Sequence, residues 1–166
     1  MIETYDLSFL NLSAINNVLL SSQAEEHGLL TKGKSSYSIG MPILMHEELN
    51  SLNKIIKNYS KLYCEKYDIS KLKLINSWFN ITEPGCILKP HNHGGIEHGV
   101  LSGAFYVSVG KNSVPLIFPE DSIQPYPGLL IIFSSELVHY TEAEKEKRIV
   151  ISFNMDYEDS TLYTGH

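Results

Sequence analysis

The sequence predicts a mainly β domain, an antiparallel sandwich or barrel with a helical cover near its N-terminus. Three observations lead there. Apolar residues recur with a period of two in short runs from Leu72 to the 150s, turn-forming residues separate most of those runs, and no helical pattern falls between them. A parallel α/β sheet needs crossover helices between its strands, so that class is excluded.

The helical patterns lie in residues 1–70. Between His46 and about Asp68, Leu49, Leu52, Ile56, Tyr59 and Tyr63 follow one another at steps of 3, 4, 3 and 4. Those steps mark one face of a helix, and Asn50, Lys54, Lys57 and Lys61 take much of the other. A shorter helix is expected over about 12–24, with Ser13 as N-cap and His27-Gly28 as its stop. Residues 30–44 contain two Gly, three Ser and one Pro and read as extended or irregular.

Strands are expected over about 72–82, 86–92, 100–109, 114–118, 128–134, 137–141 and 147–156. The turns are Glu83-Pro-Gly, Gly94-Gly95, Gly110-Lys-Asn-Ser and the segment 125–128. Alternation along the strands separates two kinds of face. Phe105 and Val107, Phe79 and Ile81, and Ile149, Ile151 and Phe153 form apolar faces suited to packing under the helices. The opposite faces carry Trp78, Asn80, Tyr106, Arg148 and Asn154, a mixture suited to lining a cavity.

Composition fits one globular domain spanning 1–166, with a mostly helical cover over 1–70 and a β core over 72–157. Of 166 residues, 43% are hydrophobic and 19% charged, which excludes a disordered or fibrous chain. The net charge of −6 provides no general footprint for nucleic acid. No apolar run approaches the ~18 residues of a membrane span. The acidic N-terminus does not read as a signal peptide, and Cys64 and Cys86 alone build no disulfide framework. The expected location is cytoplasmic.

The strongest local feature is His91-Asn92-His93. On a strand, residues i and i+2 project to the same side, so both imidazoles can reach one metal ion. His139 follows the apolar strand Gly128-Leu-Leu-Ile-Ile-Phe, and Arg148 comes nine residues later at the start of Arg-Ile-Val-Ile-Ser-Phe-Asn. The polar stretch 142–147 reverses the chain, which puts His139 and Arg148 on neighbouring antiparallel strands. A guanidinium on the cavity face needs a partner. Glu136 or Glu146 could serve at the rim.

The order Trp78-Phe-Asn80, Pro84-Gly85, Lys89-Pro-His91-Asn-His93, Leu101-Ser-Gly-Ala-Phe-Tyr106, Gly128–Phe133, His139 and Arg148–Asn154 covers about half of the chain. It resembles the prolyl-hydroxylase-like branch of the iron- and 2-oxoglutarate-dependent oxygenases, and small members with an HxH motif above all. The resemblance implies a double-stranded β-helix, or jelly roll, with the N-terminal helices on the outer face of one sheet. It implies Fe(II) held by His91 and His139, with 2-oxoglutarate bound by Arg148 and Tyr106 and contacted by Asn80 and Asn154. The implied activity is a hydroxylase that releases succinate and CO2.

Two departures stand out. The family motif is His-x-Asp or His-x-Glu, so either His93 is a third histidine ligand or a carboxylate arrives from elsewhere, with Glu97 as candidate. Val150 stands where many relatives carry Ser. The spacing Gly85-(x)5-His91-x-His93-(x)3-Glu97 also resembles the first motif of the cupins, metal-binding jelly rolls that work without 2-oxoglutarate. Gly128 lies eleven residues before His139, far more than the cupin second motif has, and this spacing together with Arg148 favours the oxygenase. A jelly roll that only binds a ligand is the third reading. The substrate, small-molecule or peptidyl, and the oligomeric state are not legible; no nucleic-acid or membrane partner is expected.

Overall fold

The computed structural model describes residues 1–94 and 99–160. Eight strands run β1 (Ile2–Asp6), β2 (Gly33–Ser35), β3 (Leu72–Thr82), β4 (Leu101–Ser108), β5 (Leu116–Ile117), β6 (Ser122–Ile123), β7 (Leu129–Ser134) and β8 (Arg148–Tyr157). Two helices, α1 (Leu12–Leu20) and α2 (Asn50–Lys66), complete the regular structure together with 3-10 turns over 43–45 and 47–49. The main sheet has six antiparallel strands in the order β1-β7-β4-β8-β3-β2.

β8 is central and sets the register of the cavity. It places Arg148 opposite Thr82, Val150 opposite both Asn80 and Tyr106, and Ser152 opposite both Trp78 and Ala104. The facing wall is built differently. The β5–β6 pair joins segments that meet at single bridges, Leu30 with Leu88, His91 with His139, and Ile117 with Tyr140. The strands expected over 86–92 and 137–141 therefore form no ladder. Their backbone bonds are spaced out instead, with Cys86 bonded to Glu144, Leu88 to Thr141, and His91 and His139 to each other.

The two faces of the main sheet separate as the alternation predicts. Phe79, Phe105, Ile149, Ile151 and Phe153 pack with Ile15 and Leu19 of α1 and Leu52, Ile56 and Tyr63 of α2 in the larger core. Tyr106, Phe133 and Val150 face inward with Leu116 and Phe118 in a second, smaller cluster. Gly103 is required where β4 crosses β8, since a Cβ there would lie 2.1 Å from the Phe153 ring.

Several boundaries differ from expectation. The N-cap of α1 is Asn11, whose side chain accepts from the Ala14 N–H at 3.1 Å, and not Ser13. That helix ends at Leu20 rather than near 24, because Ser21 and Ser22 donate their hydroxyls back to the Val18 carbonyl. Two strands lie inside the region expected to be mainly helical. β1 pairs along β7, and β2 pairs along β3. Among the described residues no helix is long and apolar enough to cross a membrane.

Candidate metal centre

His91, His93 and His139 converge, each offering one ring nitrogen within 4.8 Å of the others. Different backbone anchors bring them together. His91 and His139 exchange both backbone hydrogen bonds across their bridge, at 3.2 and 2.9 Å, and the His93 N–H donates to the Ser135 carbonyl at 2.8 Å. Each ring is then fixed at Nδ1. His91 Nδ1–H donates to the Lys89 carbonyl at 2.8 Å and His139 Nδ1–H to the Leu137 carbonyl at 3.0 Å. His93 Nδ1–H donates to Asn154 Oδ1 at 2.8 Å. Carbonyl oxygens can only accept, so the proton sits on Nδ1 and Nε2 keeps the lone pair a metal needs.

Asn154 is itself held in place. Its Oδ1 also accepts from Ser102 Oγ at 2.7 Å, and Ser102 lies 2.9 Å from Ser135 Oγ. The Trp78 ring stacks on His93 with centroids 5.7 Å apart, and Phe133 packs edge-on against His139 at 4.9 Å. Burial pushes His139 down to about 3, and the neighbouring His91 adds to the fall. A neutral, desolvated imidazole with a fixed tautomer is ready to ligate. The donor set fits a divalent first-row ion.

The histidines line one end of a cavity of about 220 Å³, and Arg148, Tyr106, Thr82 and Asn80 line it as well. Arg148 and Tyr106 are almost wholly buried, with the guanidinium carbon 5.6 Å from the Tyr106 ring centroid. Burial raises the Tyr106 phenol above its ordinary value, which keeps it a hydrogen-bond donor at neutral pH. Arg148 Nε is buried with no partner among the described residues, an orphaned donor that a ligand carboxylate would satisfy.

The partner of Arg148 is neither Glu136 nor Glu146. Nη1 lies 2.8 Å from Glu144 Oε2 and donates to the Val114 carbonyl at 3.0 Å. In the run Glu-Ala-Glu-Lys-Glu-Lys, only the middle acid turns inward, and nothing in the local pattern marks it. Asn154 sits behind His93 and does not line the cavity, so it is placed to hold a histidine rather than to touch a cosubstrate. Its alternation with Arg148 is as expected, but six residues along β8 it has passed the end of the cavity. Glu97, the carboxylate alternative, lies outside the described residues. Ser102, Ser135 and Glu144 are site-supporting residues that sequence reasoning missed.

No protein-family model matches this sequence, and no curated protein does either. Solved structures do. A Pseudomonas putida prolyl-4-hydroxylase superposes with a TM-score of 0.69 at 11% identity, covering 95% of this chain and 92% of that one. HygX from Streptomyces hygroscopicus, solved with nickel and 2-oxoglutarate, gives 0.67 at 9% identity, covering 95% and 83%. SnoN, an α-ketoglutarate-dependent epimerase of nogalamycin biosynthesis, gives 0.72 at 11% identity, covering 94% and 77%. The chain has the jelly-roll fold that these 2-oxoglutarate-dependent non-heme enzymes share.

Proposed function

We propose that this protein is an Fe(II)- and 2-oxoglutarate-dependent oxygenase that hydroxylates a small-molecule or peptidyl substrate. One observation carries the reading. Three histidines with Nδ1 anchored share a cavity with a buried arginine whose Nε lacks a partner among the described residues. The histidines suit an iron with open positions, and Arg148 and Tyr106 suit the distal carboxylate of a dicarboxylic oxo acid. When bound, iron and 2-oxoglutarate supply the oxidising chemistry: dioxygen is consumed, succinate and CO2 are released, and an unreactive C–H becomes C–OH.

The chain's own part is to bind, orient and exclude water. The carbonyls of Lys89 and Leu137 and the amide of Asn154 fix the three imidazole planes. Tyr106 donates from its phenol, and Arg148 donates through Nε. Trp78, Leu88, Leu116 and Phe133 give the cavity mostly apolar walls, which strengthen every polar contact made inside.

The test is an anaerobic titration of 2-oxoglutarate into the Fe(II) protein, following the metal-to-ligand absorption of the chelate and then succinate formation on admitting oxygen. Arg148→Ala should keep the metal and weaken 2-oxoglutarate binding by roughly 2–5 kcal/mol. Wild-type protein that binds iron but forms no chelate would be a metal-binding jelly roll of another kind.

A further inference from the structure

Arg148 is the cavity's cation, and its nearest charge belongs to the protein. The Arg148 and Glu144 side chains are 4% and 1% exposed, so water screens neither. Glu144 cannot swing away when a ligand arrives. Its Oε1 accepts from the backbone N–H of Val114 at 3.1 Å and of Lys145 at 2.9 Å. Its own N–H donates to the Cys86 carbonyl at 2.8 Å, and its carbonyl accepts from Gly85 at 2.6 Å. The carboxylate is therefore a fixed charge. Oε2 has no aligned hydrogen-bond donor among the described residues, so its contact with Nη1 is an ion pair that leaves the Nε side of the guanidinium unspent.

The charges sum in an unusual way along the cavity. Three neutral imidazoles bring none to the metal end, where a carboxylate ligand would bring one. The Arg148 end, with its counter-ion, also sums to zero. The metal end is thus strongly attractive to an anion, while the Arg148 end offers a directed donor at Nε but little net field.

We propose that Glu144 is a specificity-determining residue: as the fixed counter-ion of Arg148 it blunts the cavity's preference for an oxo acid with a second carboxylate. This rests on the oxygenase reading above. The residue acts through Arg148. Without it, the guanidinium would demand a carboxylate partner; with it, a 2-oxo monocarboxylate held by the metal end loses less at the far end.

The experiment is calorimetric titration of the Ni(II)-loaded protein with 2-oxoglutarate and with 2-oxopentanoate, which has a methyl group in place of the distal carboxylate. Glu144→Gln should tighten 2-oxoglutarate about tenfold and change 2-oxopentanoate by no more than about twofold, because only the former meets the lost charge. Arg148→Ala leaves Glu144 as a lone buried anion facing the ligand. It should therefore bind 2-oxoglutarate more weakly than the double variant Arg148→Ala with Glu144→Gln. Equal loss of both acids in Glu144→Gln, selective loss of 2-oxoglutarate, or an unchanged ratio would overturn the proposal. If Glu144→Gln does not fold, Arg148→Met is compared with Arg148→Met plus Glu144→Met, an apolar pair of similar volume. The pair should bind 2-oxoglutarate the more tightly, and the reverse order would overturn the proposal. Wild-type protein that binds neither acid overturns the oxygenase reading itself, and this inference with it.

Discussion

Replacing Asn154 by Ala tests how the third histidine is held. Asn154 is wholly buried, and its Oδ1 accepts from His93 Nδ1 and from Ser102 Oγ. Ser102 retains Ser135 after the change, at 2.9 Å, so one donor is orphaned, the His93 Nδ1–H. A buried donor without its acceptor costs about 1–3 kcal/mol. The effect on metal binding is separate. An imidazole released at Nδ1 loses its tautomer and ring orientation, which lowers metal affinity about 10–100-fold. The backbone anchor to Ser135 and the stack on Trp78 remain, so His93 stays in the site and the fold holds. Urea unfolding without metal measures the stability cost, and competition of Zn(II) between the protein and a chromophoric chelator measures the loss of affinity. Asn154→Asp, which keeps an acceptor at the same place, should restore the affinity. If Asn154→Ala unfolds more easily yet binds Zn(II) as tightly as wild type, His93 is not held through Nδ1 for a metal.

Further outcomes follow from the same geometry. His91→Ala and His139→Ala should each abolish stoichiometric metal binding, and His93→Ala should match them if three histidines serve; His93→Ala with intact affinity would point to a carboxylate ligand instead. Burial holds His139 at about 3 in the folded chain against about 6.5 in the unfolded one. Between those values the unfolded state binds the extra proton, so metal-free stability should rise with pH, by up to about 1.4 kcal/mol per pH unit from this group. Urea unfolding at several pH values should show that slope in wild type and a smaller one in His139→Asn. Gly103→Ala drives a methyl into the Phe153 ring and should cost about 1–3 kcal/mol of stability by the same assay, and a neutral result would mean the ring can move aside.

The parts of the fold that could be read from sequence are those where burial imposes a period. α2 shows its 3–4 spacing because one face meets the sheet, and β3, β4, β7 and β8 are recognisable because the central sheet buries them on both sides. β1 escaped notice because an edge strand carrying Glu3, Thr4 and Asp6 shows no apolar run, and its Ile2 and Tyr5 are only partly covered. The histidines were legible from the i, i+2 spacing and the family-like order of motifs. Glu144 was not, since three acids alternate with Ala and Lys in one reversal and long-range contacts with Val114, Cys86 and Gly85 select the middle one. Asn154 was placed on the correct face of β8, but its depth along the strand relative to His93 is a tertiary fact.

The wall of single bridges has a bearing on when this protein is whole. A continuous ladder closes as one cooperative unit, whereas the segments carrying His91 and His139 are joined by spaced backbone bonds, so they open more readily than the β3–β8 ladder. An ion shared by both residues would tie those segments together at their bridge and raise the free energy of opening by its own binding free energy. Amide exchange at His91 and His139 should then be fast in the metal-free chain and slow in the loaded one, while amides of the β3–β8 ladder change little. Loading the centre would be the last stage in closing the barrel, and the site would owe its rigidity to the ion it holds.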